Sequence, residues 1–469
     1  MPRKSTTPTL VPTATVDALN TLGLPPNELR YAYTIVDDFT RKALYKTQDG
    51  WLRLNRAYLE QAYGHIGRKV LIKLHKAGIV EATKDYRVPT DTETGYPKGY
   101  RVNRALLNYC ESQVVDATST QALPEDEIEA FANQEVTLAH LRELTIDKAG
   151  ACAHAARRAA TITLEKYYVD DAIANPYIEV YDARTGNSWW WSNEQAINFC
   201  REKGKQLVMS KRIGSVAHLV NNAAQFVEDR RTYCLKNWLR TLNRMHAQVY
   251  RATRNTTNTR LDTELTSLPK DFFNYVTVQG EGIYGVDIAN AQFAILAALL
   301  RNPEAFAASE ARFFEGLVLD EQTNSFIDAA LSGSFYERLV ELFGVARDKA
   351  KTMAFACIFS SANTRTEAKA KLRELFPQLV KITDDFKRAH GDKQLAILLQ
   401  RIEAQIVLDN VVPKLIKANI WFATKHDSVL CKQHDLAQVT NILHETLAAF
   451  GVACALREEN VTNLEAPRV

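Results

Sequence analysis

The chain has 469 residues, a formal net charge of +3, 46% apolar and 24% charged side chains. That length exceeds one ordinary core and predicts two or three domains. No run of about 18 apolar residues occurs, so no membrane span is expected, and the opening MPRKSTTPTLVPTATV lacks the apolar core of a secretory signal. The seven cysteines, Cys110, Cys152, Cys200, Cys234, Cys357, Cys431 and Cys454, are scattered without a CxxC pair. Reduced thiols in the cytoplasm are the expectation, and a structural zinc site is not.

Residues 1–27 read as a disordered tail and linker. From 28 to 110 the pattern is compact. LRLNRAYLEQAYG is an amphipathic helix ending at Gly64, and GRKVLIKLHKAG is a second helix stopped by Gly78. IVEAT and GYRVN read as short strands joined by the Gly/Pro-containing KDYRVPTDTETGYPK. This order resembles a winged helix-turn-helix. Arg68, Lys69, Lys73 and Lys76 on the second helix suit phosphates. A protein is the alternative partner for such a module.

Residues 120–255 read as mainly helical and basic. The stretch from Glu125 to Tyr168 carries a long helical period, NPYIEVYDARTGNSWWW reads as a hairpin, and QFVEDRRTYCLKNWLRTLNRMHAQVYRATR is a long basic helix. Trp189, Trp190 and Trp191 could stack on bases, but at least one is expected in a core. Between Arg201 and Lys270 there are 14 Lys/Arg against 5 Asp/Glu. Such an excess in a near-neutral chain is the footprint of a polyanion site, or of a solvated helix face balanced by acids elsewhere.

Three later segments carry the chemistry. In GIYGVDIANAQFAIL, Asp287 sits between an apolar strand and an apolar helix. In IWFATKHDSVLC, Asp427 has a second apolar strand context. Two carboxylates in one site repel each other, and one pKa rises. A divalent cation removes that conflict, and Mg²⁺ takes one or two carboxylates together with substrate phosphates. The alternative is two unrelated buried acids satisfied by local N–H groups. In ARDKAKTMAFACIFSS, Arg347, Lys351, Phe355 and Phe359 are each four apart and share one broad helix face. Two cations one turn apart make a cradle for a triphosphate, and an aromatic ring one turn on offers a plate for a base or sugar.

Together these segments resemble DNA polymerase family A, and more distantly the single-subunit phage-type RNA polymerases. The family's Asp with a Glu five residues on corresponds to Asp287 and Gln292. Its Arg, Lys, aromatic and Tyr-Gly helix corresponds to Arg347, Lys351, Phe355 and Phe359-Ser360. Its His-Asp-Glu corresponds to His426, Asp427 and Ser428. TTNTRLDTELTSLP, with Arg260, resembles the family's Thr-Gly-Arg-Leu-Ser segment, and LFPQLVKITDDFK resembles its Phe/Tyr-Pro segment. The likeness spans about Arg254 to Val469.

The resemblance implies an α/β (α+β, mainly helical) right-hand polymerase with an N-terminal winged helix. Residues 120–255 would serve as a thumb and 256–469 as palm and fingers, with fingers over about 301–400. Asp287, Asp427 and the Ile288 carbonyl would hold two Mg²⁺ ions, with Mn²⁺ as a substitute. Arg347 and Lys351 would grip a nucleoside triphosphate, and Lys351 would protonate the departing pyrophosphate. Phe355, Phe359 and Gln292 would border the nucleotide, and Arg260 and His426 the primer-template.

No acidic cluster reads as a proofreading exonuclease. The implied protein is a small DNA polymerase of a mobile element, plasmid or phage. The alternatives are a primase-like or RNA-making polymerase, and an initiator or DNA-binding protein with a decayed polymerase fold. Gln292 in place of Glu removes a charge and Phe359 in place of Tyr removes a hydroxyl, so the choice of sugar stays open.

Overall fold

Where a tail is expected, TTPTLVP instead forms a strand, β1 (Thr6–Pro12), antiparallel to β5 (Ser112–Thr118) in the register Thr6↔Thr118 to Pro12↔Ser112. Helix α1 (Thr13–Asn20) follows directly. Leu10, Val11, Val16 and Leu19 are buried, and Val11, Val16 and Leu19 join a core. The computed structural model describes residues 6–46, 51–84, 97–108, 111–118, 131–168, 177–182, 187–210, 216–364 and 366–462. The chain divides into two units, Met1–Glu125 with Ile146–Val249, and Asp126–Thr145 with Tyr250–Arg468. The regions read separately as 28–110 and 120–255 therefore fall largely in one unit. It is a mixed helix and strand chain. Among the described residues no helix is long and apolar enough to cross a membrane.

In the first unit α2 (Pro26–Lys46), β2 (Leu52–Leu54), α3 (Arg56–Lys76), β3 (Val80–Ala82) and β4 (Lys98–Val102) follow in order. The three strands form an antiparallel sheet in the order β2-β4-β3. Asn55 caps α3, its side chain accepting from the Tyr58 N–H at 2.7 Å. Gly64, at φ 65° and ψ −171°, is not helical and divides α3 into the two helices expected on either side of it. Ile35, Val36, Phe39, Leu59, Tyr63, Val70 and Leu74 pack into the core beneath. Of the α3 cations, Arg68 pairs with Glu60, and Lys73 pairs with Glu28 at 2.6 Å. Lys69 and Lys76 are exposed, with Ile66 and Ile72 beside them. The connection between β3 and β4, from 85 to 96, lies outside the described residues, as does Cys110.

The long helical period after Glu125 breaks into separate elements. Helix Gln134–Arg142 belongs to the second unit, a short strand Leu144–Ile146 follows, and α4 (Lys148–Ala160) starts anew in the first. The break has a local cause. β-branched Thr145 and Ile146 favour the strand, and the Asp147 side chain caps α4 by accepting from the Gly150 N–H at 3.0 Å.

The hairpin around the tryptophans belongs to a five-stranded sheet. Its strands are β6 (Tyr167–Tyr168), β7 (Tyr177–Asp182), β8 (Asn187–Ser192), β9 (Gln206–Ser210) and β10 (Val216–Val220), in the order β6-β9-β10-β7-β8. Helix α5 (Asn193–Lys203) follows β8. Trp191 packs on Phe199 and the small core here, whereas Trp189 is exposed and stacks on Trp191.

The basic helix is α6 (Ala223–His246). Its cations are less available than the charge count suggests. Arg240 and Arg244 are buried, Arg240 pairs with buried Asp37, and Arg231 pairs with Glu228 at 2.9 Å.

The second unit is built on an antiparallel sheet of β11 (Ile283–Ile288), β12 (Ala423–Lys425), β13 (Ser428–Lys432) and β14 (Leu456–Asn460), in the order β12-β13-β11-β14. Helix α7 (Ala291–Arg301) is buried from Ala291 through Leu300 and apolar nearly all round, as an interior helix must be. Helices Glu321–Leu331, Phe335–Phe343, α8 (Arg347–Phe359), Glu367–Leu375, Pro377–His390 and α9 (Gln394–Ala404) follow. A π-helical turn, Gln405–Val411, continues α9. Phe293, Phe326, Phe335 and Phe376 tie these helices together.

Candidate active site

Two strands bring the two key carboxylates together. Asp287 near the end of β11 lies opposite Ser428 of β13, in the register Asp287↔Ser428. His426 and Asp427 form the two-residue turn between β12 and β13. The Ile288 N–H donates to the Asp427 carbonyl at 3.3 Å. On the same strand, a Cβ at Gly285 would lie 2.9 Å from Val461 Cγ2 and 3.3 Å from Leu430 Cδ2. His426 carries the turn at φ 58°, a left-handed conformation unusual for a non-glycine residue.

The electrostatics follow from that placement. Burial, the Asp427 charge and the Glu459 charge push the Asp287 carboxyl up to about 7, against Arg457 and Lys270. Burial also raises Asp427, while Arg260 and Lys351 act to lower it. Two half-buried carboxylates that disfavour each other's charge are the hard-oxygen donor set that suits Mg²⁺. Buried Ile288 stands next to them. Among the described residues no group of three or more His, Cys, Asp and Glu gathers for a metal. The fit therefore rests on this carboxylate pair, with the remaining positions left to carbonyl, water or phosphate oxygens.

Helix α8 presents its expected row. Lys351 Nζ stands 5.8 Å from the Phe355 ring centroid, and the Phe355 and Phe359 rings are 5.1 Å apart. Arg347 pairs with Glu337 at 2.9 Å and lies 5.5 Å over the Tyr336 ring. Phe355 is half-buried and packs on Phe293 at 5.7 Å, whereas Phe359 is 48% exposed.

A second group meets at Glu403 of α9. The Gln292 Nε2 donates to Glu403 Oε2 at 2.5 Å, and Arg260 Nη2 donates to the same oxygen at 2.7 Å. Arg260 is held in its loop. Its N–H donates to Asn258 Oδ1 at 3.2 Å, and Asn258 Nδ2 donates to Gln400 of α9 at 2.9 Å. Arg254 grips Asp409 in the π-helical turn with two bonds, at 2.7 and 2.9 Å. Burial, offset by Arg260 and reinforced by the Asp427 charge, pushes Glu403 up to about 7. Burial beside Arg260 and Lys425 depresses His426 to about 4, leaving its ring neutral near pH 7.

Asp287, Asp427, Lys351, Arg260, His426 and Gln292 are thus gathered by strand pairing, hydrogen bonds and mutual electrostatic influence. Three residues here were not singled out in the sequence. Glu403 looks like an ordinary helix charge in LLQRIEA. Arg457 lies opposite Asp287 on β14. Tyr336, buried and influenced by both Arg347 and Asp427, has its hydroxyl pKa raised by burial. No sequence signal marks Glu403 or Tyr336. Arg457 falls in ALREEN, whose polar run shows no alternation that would mark a strand.

No family model and no curated protein matches the chain. Among solved structures it is similar to the POL domain of Pol1 from M. smegmatis in complex with DNA primer-template and dNTP. That similarity has a TM-score of 0.32 and 14% sequence identity, over 71% of this chain and 71% of that one.

Proposed function

We propose that the C-terminal unit is a template-directed nucleotidyltransferase in which a 3′-hydroxyl attacks the α-phosphate of a nucleoside triphosphate. The observation that carries this reading is the meeting of Asp287 and Asp427 at a strand pair, under the electrostatic influence of Lys351 and Arg260. Asp287 and Asp427, with the Ile288 carbonyl, would hold Mg²⁺, which supplies charge neutralisation for the attacking and leaving oxygens. Arg347 and Lys351 bind the triphosphate from the exposed side of α8. As the 3′-hydroxyl gives up its proton to solvent and the bond from the 3′-oxygen to the α-phosphorus forms, the bond from that phosphorus to the bridging oxygen breaks, and Lys351 gives a proton to the departing pyrophosphate. Phe355 packs against the sugar and base. Neutral His426 and Arg260 steady the primer end. Holding the reactants in line supplies much of the acceleration in such a site.

The reading of the product as DNA, and of the host element as a plasmid, phage or mobile element, comes from the family A resemblance alone. An RNA-making or primase-like enzyme is favoured by one observation, the attachment of the Gln292 amide to Glu403. In the first unit, the β2-β4-β3 sheet with kinked α3 is read as the winged helix that brings the enzyme to nucleic acid, with Lys69 and Lys76 as its available cations. The test is extension of a labelled primer on a template with Mg²⁺. Wild type extends, Asp287→Asn loses at least ~10²-fold, and both bind duplex alike. Normal extension by Asp287→Asn would overturn the assignment.

A further inference from the structure

The cations around the carboxylate pair are of two kinds. Arg260, Arg347 and Lys270 are each held by an acid: Glu403 at 2.7 Å, Glu337 at 2.9 Å, and Glu459. Lys425 is tied to the Leu268 carbonyl, to which it donates at 2.6 Å. Lys351 and Arg457 differ. Both are exposed, and among the described residues neither side chain has an ion-pair partner or a hydrogen bond. Lys351 acts on Asp427 from α8, and Arg457 acts on Asp287 from β14.

The sheet fixes where Arg457 emerges. Asp287 pairs with Ser428 on one side and with Arg457 on the other, in the strand order β13-β11-β14. Residues paired across antiparallel strands share a face, with Cβ atoms about 5 Å apart. Arg457 therefore leaves the sheet beside the Asp287 carboxylate, on an edge strand. Its charge also acts on Tyr336 and Glu337, the two residues that Arg347 touches. Arg347 and Arg457 thus converge on one patch from two elements, α8 and β14.

The chemistry gives the two flanks of Asp287 different work. In phosphoryl transfer the attacking and leaving oxygens lie roughly in line on opposite sides of phosphorus. Asp427, His426 and Arg260 stand on the β13 side, where the proposed function puts the primer end. The leaving group then lies toward β14, where Arg457 and Arg347 stand. Negative charge develops on that group as its bond breaks, and a cation placed there in advance stabilises it. A guanidinium can hold phosphate oxygens with two parallel N–H bonds. It keeps its own proton, so the proton transfer stays with Lys351.

We propose that Arg457 is a further phosphate-binding residue, which holds the two terminal phosphates of the nucleotide, and then the pyrophosphate, on the flank away from the primer. The inference rests on the nucleotidyltransferase reading and adds to it a residue from the last strand. The other role for an exposed arginine here is to balance the Asp287 charge alone.

The experiment measures single incorporation by the full chain on a primed template, with nucleotide and added pyrophosphate varied. Arg457 is exposed, so its variants should fold. Arg457→Gln should lower kcat/KM for the nucleotide at least about tenfold and weaken inhibition by pyrophosphate by a similar factor, with primer-template affinity unchanged. Arg457→Lys keeps the charge and loses the fork, and should fall between. A residue that only balances Asp287 would change the rate and leave pyrophosphate inhibition alone. Unchanged kcat/KM in Arg457→Gln, unchanged pyrophosphate inhibition, or a loss confined to primer-template binding each overturn the proposal, while extension by the wild type still supports the transferase. Absence of incorporation by the wild type with ribo- and deoxynucleotides, under Mg²⁺ or Mn²⁺, overturns both.

Discussion

Two buried polar clusters in the C-terminal unit use the same residue types to opposite ends. Lys369 and Asp384 are an ion pair at 2.7 Å, with side chains only 1% and 3% exposed. Lys369 also donates to the Ser361 and Ala362 carbonyls at 2.8 and 3.0 Å, and Arg373 reaches Asp384 at 3.2 Å. The cation has a partner in each direction, and the chain after α8 is pinned by it. Around Glu403, by contrast, Arg260 and Gln292 crowd one oxygen while the other has no partner. Asp384 Oδ1 and Glu403 Oε1 both lack a hydrogen-bond partner, but Asp384 Oδ1 lies 2.7 Å from the Lys369 ammonium. What distinguishes the clusters is a charged partner directly beside the leftover oxygen, rather than burial.

The largest test of that contrast is Lys369→Met. Removing one member of a buried pair leaves Asp384 underneutralised and frees two carbonyls, so unfolding in denaturant should show a loss of about 3–5 kcal/mol. A loss below about 1 kcal/mol would remove the distinction between the clusters.

A second test uses pH in the first unit. His218 is held near 4 by burial and by Arg230, below its ordinary value near 6.5, and it packs between Phe226 and Tyr181. A depressed histidine is neutral in the folded chain, and the unfolded chain takes up the proton first. Its stabilisation is therefore complete above pH 6.5 and is lost as pH falls toward 4. The difference in stability between wild type and His218→Phe should shift by about 2–3 kcal/mol across that window. A constant difference would show that the ring is protonated in place.

Smaller still is the stability change of Asp427→Asn. The substitution relieves repulsion with Asp287, so the melting temperature should hold or rise, by up to about 1 kcal/mol of stability, while extension fails. A marked loss of stability would make Asp427 structural. The smallest effect is Phe359→Tyr, which adds a hydroxyl at an exposed position. Incorporation should stay within about twofold, and a larger change would mean that Phe359 does reach the sugar.

Legibility in the sequence followed the range of the interactions. The row from Arg347 to Phe359 was readable because a helix repeats every four residues. Asp287 and Asp427 were readable because a carboxylate at an apolar strand end is costly without a reason. Strands β9 and β10, which pair with each other, were not, since QLVMS and VAHLV show little alternation. The stretch after Glu125 was read as continuous helix because its periodicity hid the cap at Asp147. Glu403 could not be found at all. Its neighbours in LLQRIEA make an ordinary amphipathic turn, and its role depends on Gln292 and Arg260, 111 and 143 residues away.

Helix α7, walled in on every side from Ala291 to Leu300, has a consequence for time. Its backbone amides have no solvent-facing side from which to exchange. They open to deuterium only when the whole unit opens, whereas amides on the exposed arms of α8 exchange by local fraying. The residues that border the carboxylates thus run on two clocks, and the floor of the site should be the last part of the unit to take up label.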